Sequence, residues 1–204
     1  MKKHSRLFGI LFWLILWQCT AMLINKRIIL VTPIAAVKRL FELCTEASFI
    51  RTVLNSFLRI GAGFIAGAVI GTVTAALSAR FAAAKAVIDP FMSAVKAVPV
   101  ASFIIFALFF LKSSALSFLI SALMVMPVIY DAVGKGIENA DIKLIEAADI
   151  FALSPYRRVR YLYFPSVMPF LTAAFRTAAG LAFKSGTAAE VIGQPDLTLG
   201  DMLY

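Results

Sequence analysis

Residues 7–24 form an unbroken run of 18 positions without one charged side chain, rich in Leu, Ile, Phe and Trp. A helix of that length is about 27 Å long, close to the hydrocarbon thickness of a bilayer. Lipid cannot hydrogen-bond a backbone, so a run of this kind that crosses a membrane must satisfy its own amides as a helix. The basic start, Met-Lys-Lys-His-Ser-Arg, also fits a signal peptide. Such a peptide has a shorter apolar part, roughly 7–15 residues, ending in small residues. Here Trp13 and Trp17 lie inside the run, and Gln18-Cys19-Thr20 near its end offers no such site. The reading is a retained first span.

Comparable stretches recur at about 52–77, 91–111, 115–133 and 169–192. With 61% hydrophobic and only 15% charged residues, the chain has too little polar surface to solvate itself. A soluble enzyme, a disordered tail and a secreted disulfide scaffold are all excluded on this ground. The expectation is one all-α, polytopic membrane domain over 1–204. The net charge of +9 reads as basic residues flanking spans, not as a nucleic-acid surface. Cys19 and Cys44 have no metal-ligand spacing and are not expected to pair, and His4 is the single histidine. No cofactor is expected.

The segments between spans carry the remaining information. Pro33 opens a stretch with Ile34, Val37, Leu40, Phe41 and Cys44 on one side and Lys38, Arg39, Glu42 and Glu46 on the other. That spacing predicts an amphipathic helix over 33–48 on the outer side, lying at the membrane surface or against other helices rather than crossing the bilayer. In the second span, Gly63, Gly67 and Gly71 recur every four residues and make a smooth stripe along which another helix can pack closely. Residues 78–89 read as a short polar connection. The third span carries Pro99 and the fourth Pro127, both expected to kink. From 134 to 166 the chain turns polar while keeping helical periodicity, and Ser154-Pro155 starts a second helical piece. Two short helices outside the bilayer are predicted there. With the N-terminus in the cytoplasm, the inner segments hold ten Lys or Arg and the outer ones six.

Within the polar stretch, Glu146-Ala147-Ala148 is followed after three residues by Ala152. Nine further residues precede Leu162-Tyr163-Phe164-Pro165. This resembles the EAA loop of binding-protein-dependent ABC importer permeases, whose pattern is Glu-Ala-Ala, three residues, Gly, nine residues, Ile-x-Leu-Pro. Leu162 and Phe164 keep apolar bulk where they depart from it. Ala152 stands where the family has Gly, and a positive φ there costs an alanine about 1–2 kcal/mol. Pro33, Ser56 and Arg59, Asp89-Pro90, Pro99, Gly180 and Glu190 extend the likeness to the nitrate/sulfonate/taurine-type branch over nearly the whole chain.

The resemblance implies a type I permease fold with six spans, of which five are expected here, the last lying beyond a truncated or partial sequence. It implies a plasma (inner) membrane protein moving a small solute. The implied partners are an ATP-binding ABC subunit at the inner face, a second permease copy forming a homodimer, and an extracytoplasmic substrate-binding protein. The chain itself has no P-loop, because Gly134-Lys135-Gly136 lacks the required spacing. It is therefore not expected to be an enzyme. By resemblance Glu146, Ala147, Ala148, Ala152, Leu162 and Pro165 form the ATPase-coupling loop. Arg157, Arg158 and Arg160 read as contacts to the ATPase or to anionic lipid, with lipid favoured because positive-inside placement alone explains them.

Charges inside spans are expensive and usually face an interior or a water path. Arg176, Gly180 and Lys184 share one helix face with Thr172. Together with Arg59 they are the candidate pathway-lining residues, and their charge suits an anionic solute. Lys96 reads equally well as snorkelling to the interface. The competing readings are a free-standing secondary transporter or channel subunit, and a membrane-embedded enzyme. The spans hold few acids for ion coupling, and no cluster of His, Asp, Glu or Cys supports catalysis.

Overall fold

The computed structural model describes residues 2–24 and 30–203, with side chains from 7 to 202 within those stretches. Lys26 and Arg27, counted in the charge bias, lie outside the described residues. Among the described residues all regular structure is helical, and the chain divides into two compact units, Met1–Arg51 and Thr52–Tyr204.

The first unit holds α1 (Lys2–Ile24) and α2 (Pro33–Cys44). Thr32 caps α2 by accepting the Ala35 amide at 3.3 Å, and Pro33 fills the first turn, where its missing N–H is not needed. The helix stops at Cys44, short of the expected 48. The Thr45 hydroxyl and amide both donate to the Glu42 carbonyl and turn the chain. No residue of α2 is buried, so Ile34, Val37, Leu40 and Phe41 form an apolar face open within this unit. The Trp17 indole N–H donates to the Val31 carbonyl at 3.1 Å and ties α1 to the segment entering α2.

The second unit begins within α3 (Ala47–Arg80). It continues through α4 (Ala82–Ala97), α5 (Val100–Leu108), α6 (Ser113–Glu138), α7 (Ile142–Ile150), α8 (Pro155–Arg158) and α9 (Phe164–Gly193). A π-helical turn (Val159–Tyr163) joins α8 to α9, and a 3-10 turn (Asp201–Leu203) follows. Helix α6 is the axle: 67% of its apolar window is buried, against 28% for α3. Ile60 from α3, Val125 and Ile129 from α6, and Ala178 and Ala182 from α9 form one core, joined by Met92 from α4. A second core gathers Val95, Ile104, Leu116, Ile120 and Ala189.

The glycine stripe explains how α3 comes so near α6. A methyl on Gly67 would sit 2.5 Å from the Ala122 carbonyl oxygen, and one on Gly71 2.5 Å from that of Met126. One on Gly63 would collide with the Phe118 carbonyl. The three glycines thus meet three carbonyls one turn apart on α6, and only hydrogen side chains fit.

Three expectations need correction. Residues 78–89 are not a loop: α3 runs to Arg80, Phe81 alone is extended, and α4 starts at Ala82. The stretch 91–111 is not one continuous helix. It falls on the end of α4 and on α5, which ends at Leu108, and the two are bent by 100° at Val98–Pro99. Pro99 has no N–H and crowds the residue before it, which holds Val98 at φ −83°, ψ 132°. Nor is the piece after Pro155 a separate short helix, because α8, the π turn and α9 run on for 39 residues. Among the described residues four helices are long and apolar enough to span, and the bent α4–α5 pair makes a fifth if it crosses as one broken span.

Candidate coupling site and pathway face

Helix α7 lies in the connection between the end of α6 and the start of α9. Asp141 caps it by accepting the Lys143 amide at 2.9 Å. Only Ala148 is buried, Ala147 is half-buried and Glu146 is exposed. The small alanines therefore let α7 lie close to its own chain while Glu146 faces outward. Ile142, Leu144, Ile150, Phe151 and Tyr156 are exposed around it, with Ile150 80% accessible.

The end of α7 is where the departure from the resembled pattern acts. Ala152 has φ +45°, the left-handed conformation. Its amide donates to Asp149 O at 3.0 Å, and the Leu153 amide donates to Ala148 O at 3.0 Å. This pair of bonds is a Schellman motif with alanine at the position that usually takes glycine. Arg158 locks the turn from the other side. Its guanidinium reaches Leu153 O at 3.1 Å, Ala148 O at 3.3 Å and the Asp149 carboxylate at 2.6 Å. Arg158 is thus a staple within the loop rather than a lipid contact. Arg160 stacks over the Phe164 ring at 5.4 Å.

Leu162 is buried in the π turn, and Pro165 follows in the first turn of α9. Pro165 cannot donate to Tyr161 O and its ring would press on that carbonyl, so the preceding turn widens to a bond from the Phe164 amide to Val159 O.

On α9, Ala178, Ala182, Ser185, Gly186, Ala189 and Glu190 are buried against the bundle. Thr172, Arg176, Gly180 and Lys184 form an open face, and nothing lies within 4 Å of where a Gly180 methyl would be. Arg59 is half-buried on α3 and does not join that face's exposure pattern.

A polar cleft of about 740 Å³ opens between the end of α3, α4 and α6. Lys96 pairs with Asp131 at 3.0 Å, Lys85 with Glu138 at 3.5 Å, and the Tyr130 hydroxyl donates to Asp89. Lys96 therefore has an acidic partner instead of snorkelling alone. Elsewhere, the Ser56 hydroxyl donates to the fully buried Glu190 carboxylate at 2.7 Å. Among the described residues there is no group of His, Cys, Asp and Glu able to hold a metal ion, and Cys19 and Cys44 are free.

Residues 50–204 match the family described as the binding-protein-dependent transport system inner membrane component. The chain belongs to this family. It is the permease component of a binding-protein-dependent ABC transporter and a multi-pass membrane protein. The permease is 24% identical over 197 residues to the putative aliphatic sulfonates transport permease protein SsuC of Bacillus subtilis (strain 168), covering 94% of this chain and 71% of that protein. The matched region of the permease contains α7, the π turn and all of α9, whereas α1 and α2 precede it. Sequence reasoning about the permease missed the Arg158 staple, the Lys96–Asp131 pair and the Ser56–Glu190 bond. The last two join residues 35 and 134 positions apart, and no spacing rule reaches that far.

Proposed function

We propose that the permease forms half of a translocation pathway for a small anionic solute of the sulfonate type, powered by a separate ATPase subunit that docks on α7. The exposure of α7 carries this reading. A nine-residue helix with Ile142, Leu144 and Ile150 uncovered and Glu146 at its surface gains by burying that face in a partner. The staple at Arg158 and the widened turn before Pro165 tie α7 directly to α9, so a push on α7 is passed to a spanning helix. A second copy of the chain supplies the other half, and a substrate-binding protein delivers the solute at the far end. The α7 end faces the cytoplasm in the plasma (inner) membrane, as does the N-terminus.

The open face of α9 supports the anion. Arg176 and Lys184 lie one turn either side of Gly180, and each would cost about 2.5–3.5 kcal/mol in contact with lipid at mid-bilayer. A water-filled path shared with a second copy removes that cost and offers two cations to a negatively charged solute. The name of the SsuC relative points to the same solute class.

Co-purification tests the coupling. The ATPase subunit should stay with the unaltered permease and be lost on Glu146→Lys or Leu144→Asp, while both variants still elute as folded protein. Retention of the ATPase by both variants would rule α7 out as the docking element.

A further inference from the structure

Glu190 is completely buried near the end of α9, yet only half of its carboxylate is satisfied. Oε2 accepts the Ser56 hydroxyl proton at 2.7 Å, and Ser56 Oγ in turn accepts the Leu199 amide at 2.9 Å. Oε1 has no partner. Among the described residues four other buried polar atoms also lack one, Gln18 Oε1, Ser78 Oγ, Ser117 Oγ and Arg59 Nη1, and the last two belong to α6 and α3.

Helix registry brings these groups to one level. A methyl on Gly186 would lie 2.6 Å from Ser121 Oγ and 2.7 Å from Ile60 Cγ1, so α9, α6 and α3 touch there. One turn further, four residues back on α3 and α6 and four forward on antiparallel α9, come Ser56, Ser117 and Glu190. The Ser56–Glu190 bond verifies the step. Arg59 is the neighbour of Ile60 and lies within that same turn of α3. Among the described residues its guanidinium makes no ion pair within 4.0 Å.

A buried carboxylate oxygen and a buried guanidinium nitrogen without partners are each costly, and pairing them offsets part of that cost. We propose that Arg59 and Glu190 are a switchable ion pair across the α3–α9 seam, open in the conformation described and closed in another state of the permease. Closure takes Glu190 away from Ser56. The chain after α9 is held at that same hydroxyl: the Leu199 amide bonds to it, Thr198 is fully buried, and a methyl on Gly200 would strike the Glu190 backbone. The pair thus controls whether segment 195–203 stays latched over this end of the bundle.

The test is a mutant cycle in the full chain assembled in nanodiscs, with Arg59→Gln, Glu190→Gln, the double variant, and the swap Arg59→Glu with Glu190→Arg. Each single change leaves the closed state with one charge unpaired, so the yield of folded protein should fall about fivefold or more, with recovery to within about twofold in the double variant. The swap should recover better than either of its own single changes. Equal yields throughout, or effects that simply multiply in the double variant, would mean that the orphaned atoms are served by an internal water and that the two residues are not partners. A second arm rests on the proposed ATPase coupling: exchange of the Leu199 amide should speed up about tenfold when the assembled transporter is trapped with an ATP analogue. An unchanged rate there, with recovery in the mutant cycle, would retain the pair and overturn its link to the latch.

Discussion

Ala152 concentrates the residue-scale question, because one side chain is held in a conformation it disfavours. The left-handed φ of +45° costs an alanine about 1–2 kcal/mol, part of which a glycine would give back through its own unfolded-state entropy. Ala152→Gly should therefore stabilise the end of α7 by about 1 kcal/mol, seen as roughly fivefold slower exchange of the Leu153 amide. Arg158 works in the opposite direction. It bridges two carbonyls and a carboxylate across the same turn, with Asp149 well exposed, so the ion pair adds little and the carbonyl bonds matter more. Arg158→Ala should loosen the turn by about 1–2 kcal/mol and weaken ATPase stimulation without abolishing membrane insertion. Arg158→Lys should recover only part of this, since a single ammonium cannot reach all three acceptors. The motif spacing was legible in the sequence. The clamp was not, because which of three neighbouring arginines turns inward depends on the path of the chain after Pro155.

At the scale of elements, the glycine stripe and Pro99 behave differently from their sequence descriptions in instructive ways. The stripe's purpose could be read from its four-residue period, but not its target, since any other span could have filled the groove. The carbonyls of Phe118, Ala122 and Met126 identify α6. Gly67→Val should therefore force α3 and α6 apart, costing about 1–3 kcal/mol and reducing folded yield. Gly61→Ala on the same helix should be silent, because nothing lies within 4 Å of the added methyl. Yield and melting temperature of the two variants side by side provide the check. Pro90, Pro99 and Pro127 all lie in apolar stretches, and only Pro99 separates two helices by a sharp bend. Proline identity alone does not decide this. The bend directs α5 into the core built by Leu116 and Ile120, and the burial of Ile104 there compensates for the broken hydrogen bonds.

For the whole molecule, the surfaces on which the proposed function rests are α7 and the exposed Thr172–Arg176–Gly180–Lys184 face along α9. If that face lines an anion path, Lys184→Ala should lower uptake of a sulfonate about tenfold while ATPase docking is retained, a split that proteoliposome transport and co-purification can measure separately. Unchanged uptake and selectivity would move the cations to a structural role. The sequence by itself determined that this is a helical membrane protein carrying an EAA-type loop. Span length, apolar composition and motif spacing are local properties, and a bilayer leaves a long apolar run few alternatives to a helix. Only the tertiary structure decided that 91–111 is broken and that Lys96 meets Asp131. It likewise decided that Ser56 meets Glu190 and that Ala152 takes the strained turn. Those outcomes depend on the register between helices far apart in the chain, where a shift of one residue would turn each side chain by about 100° and lose its partner.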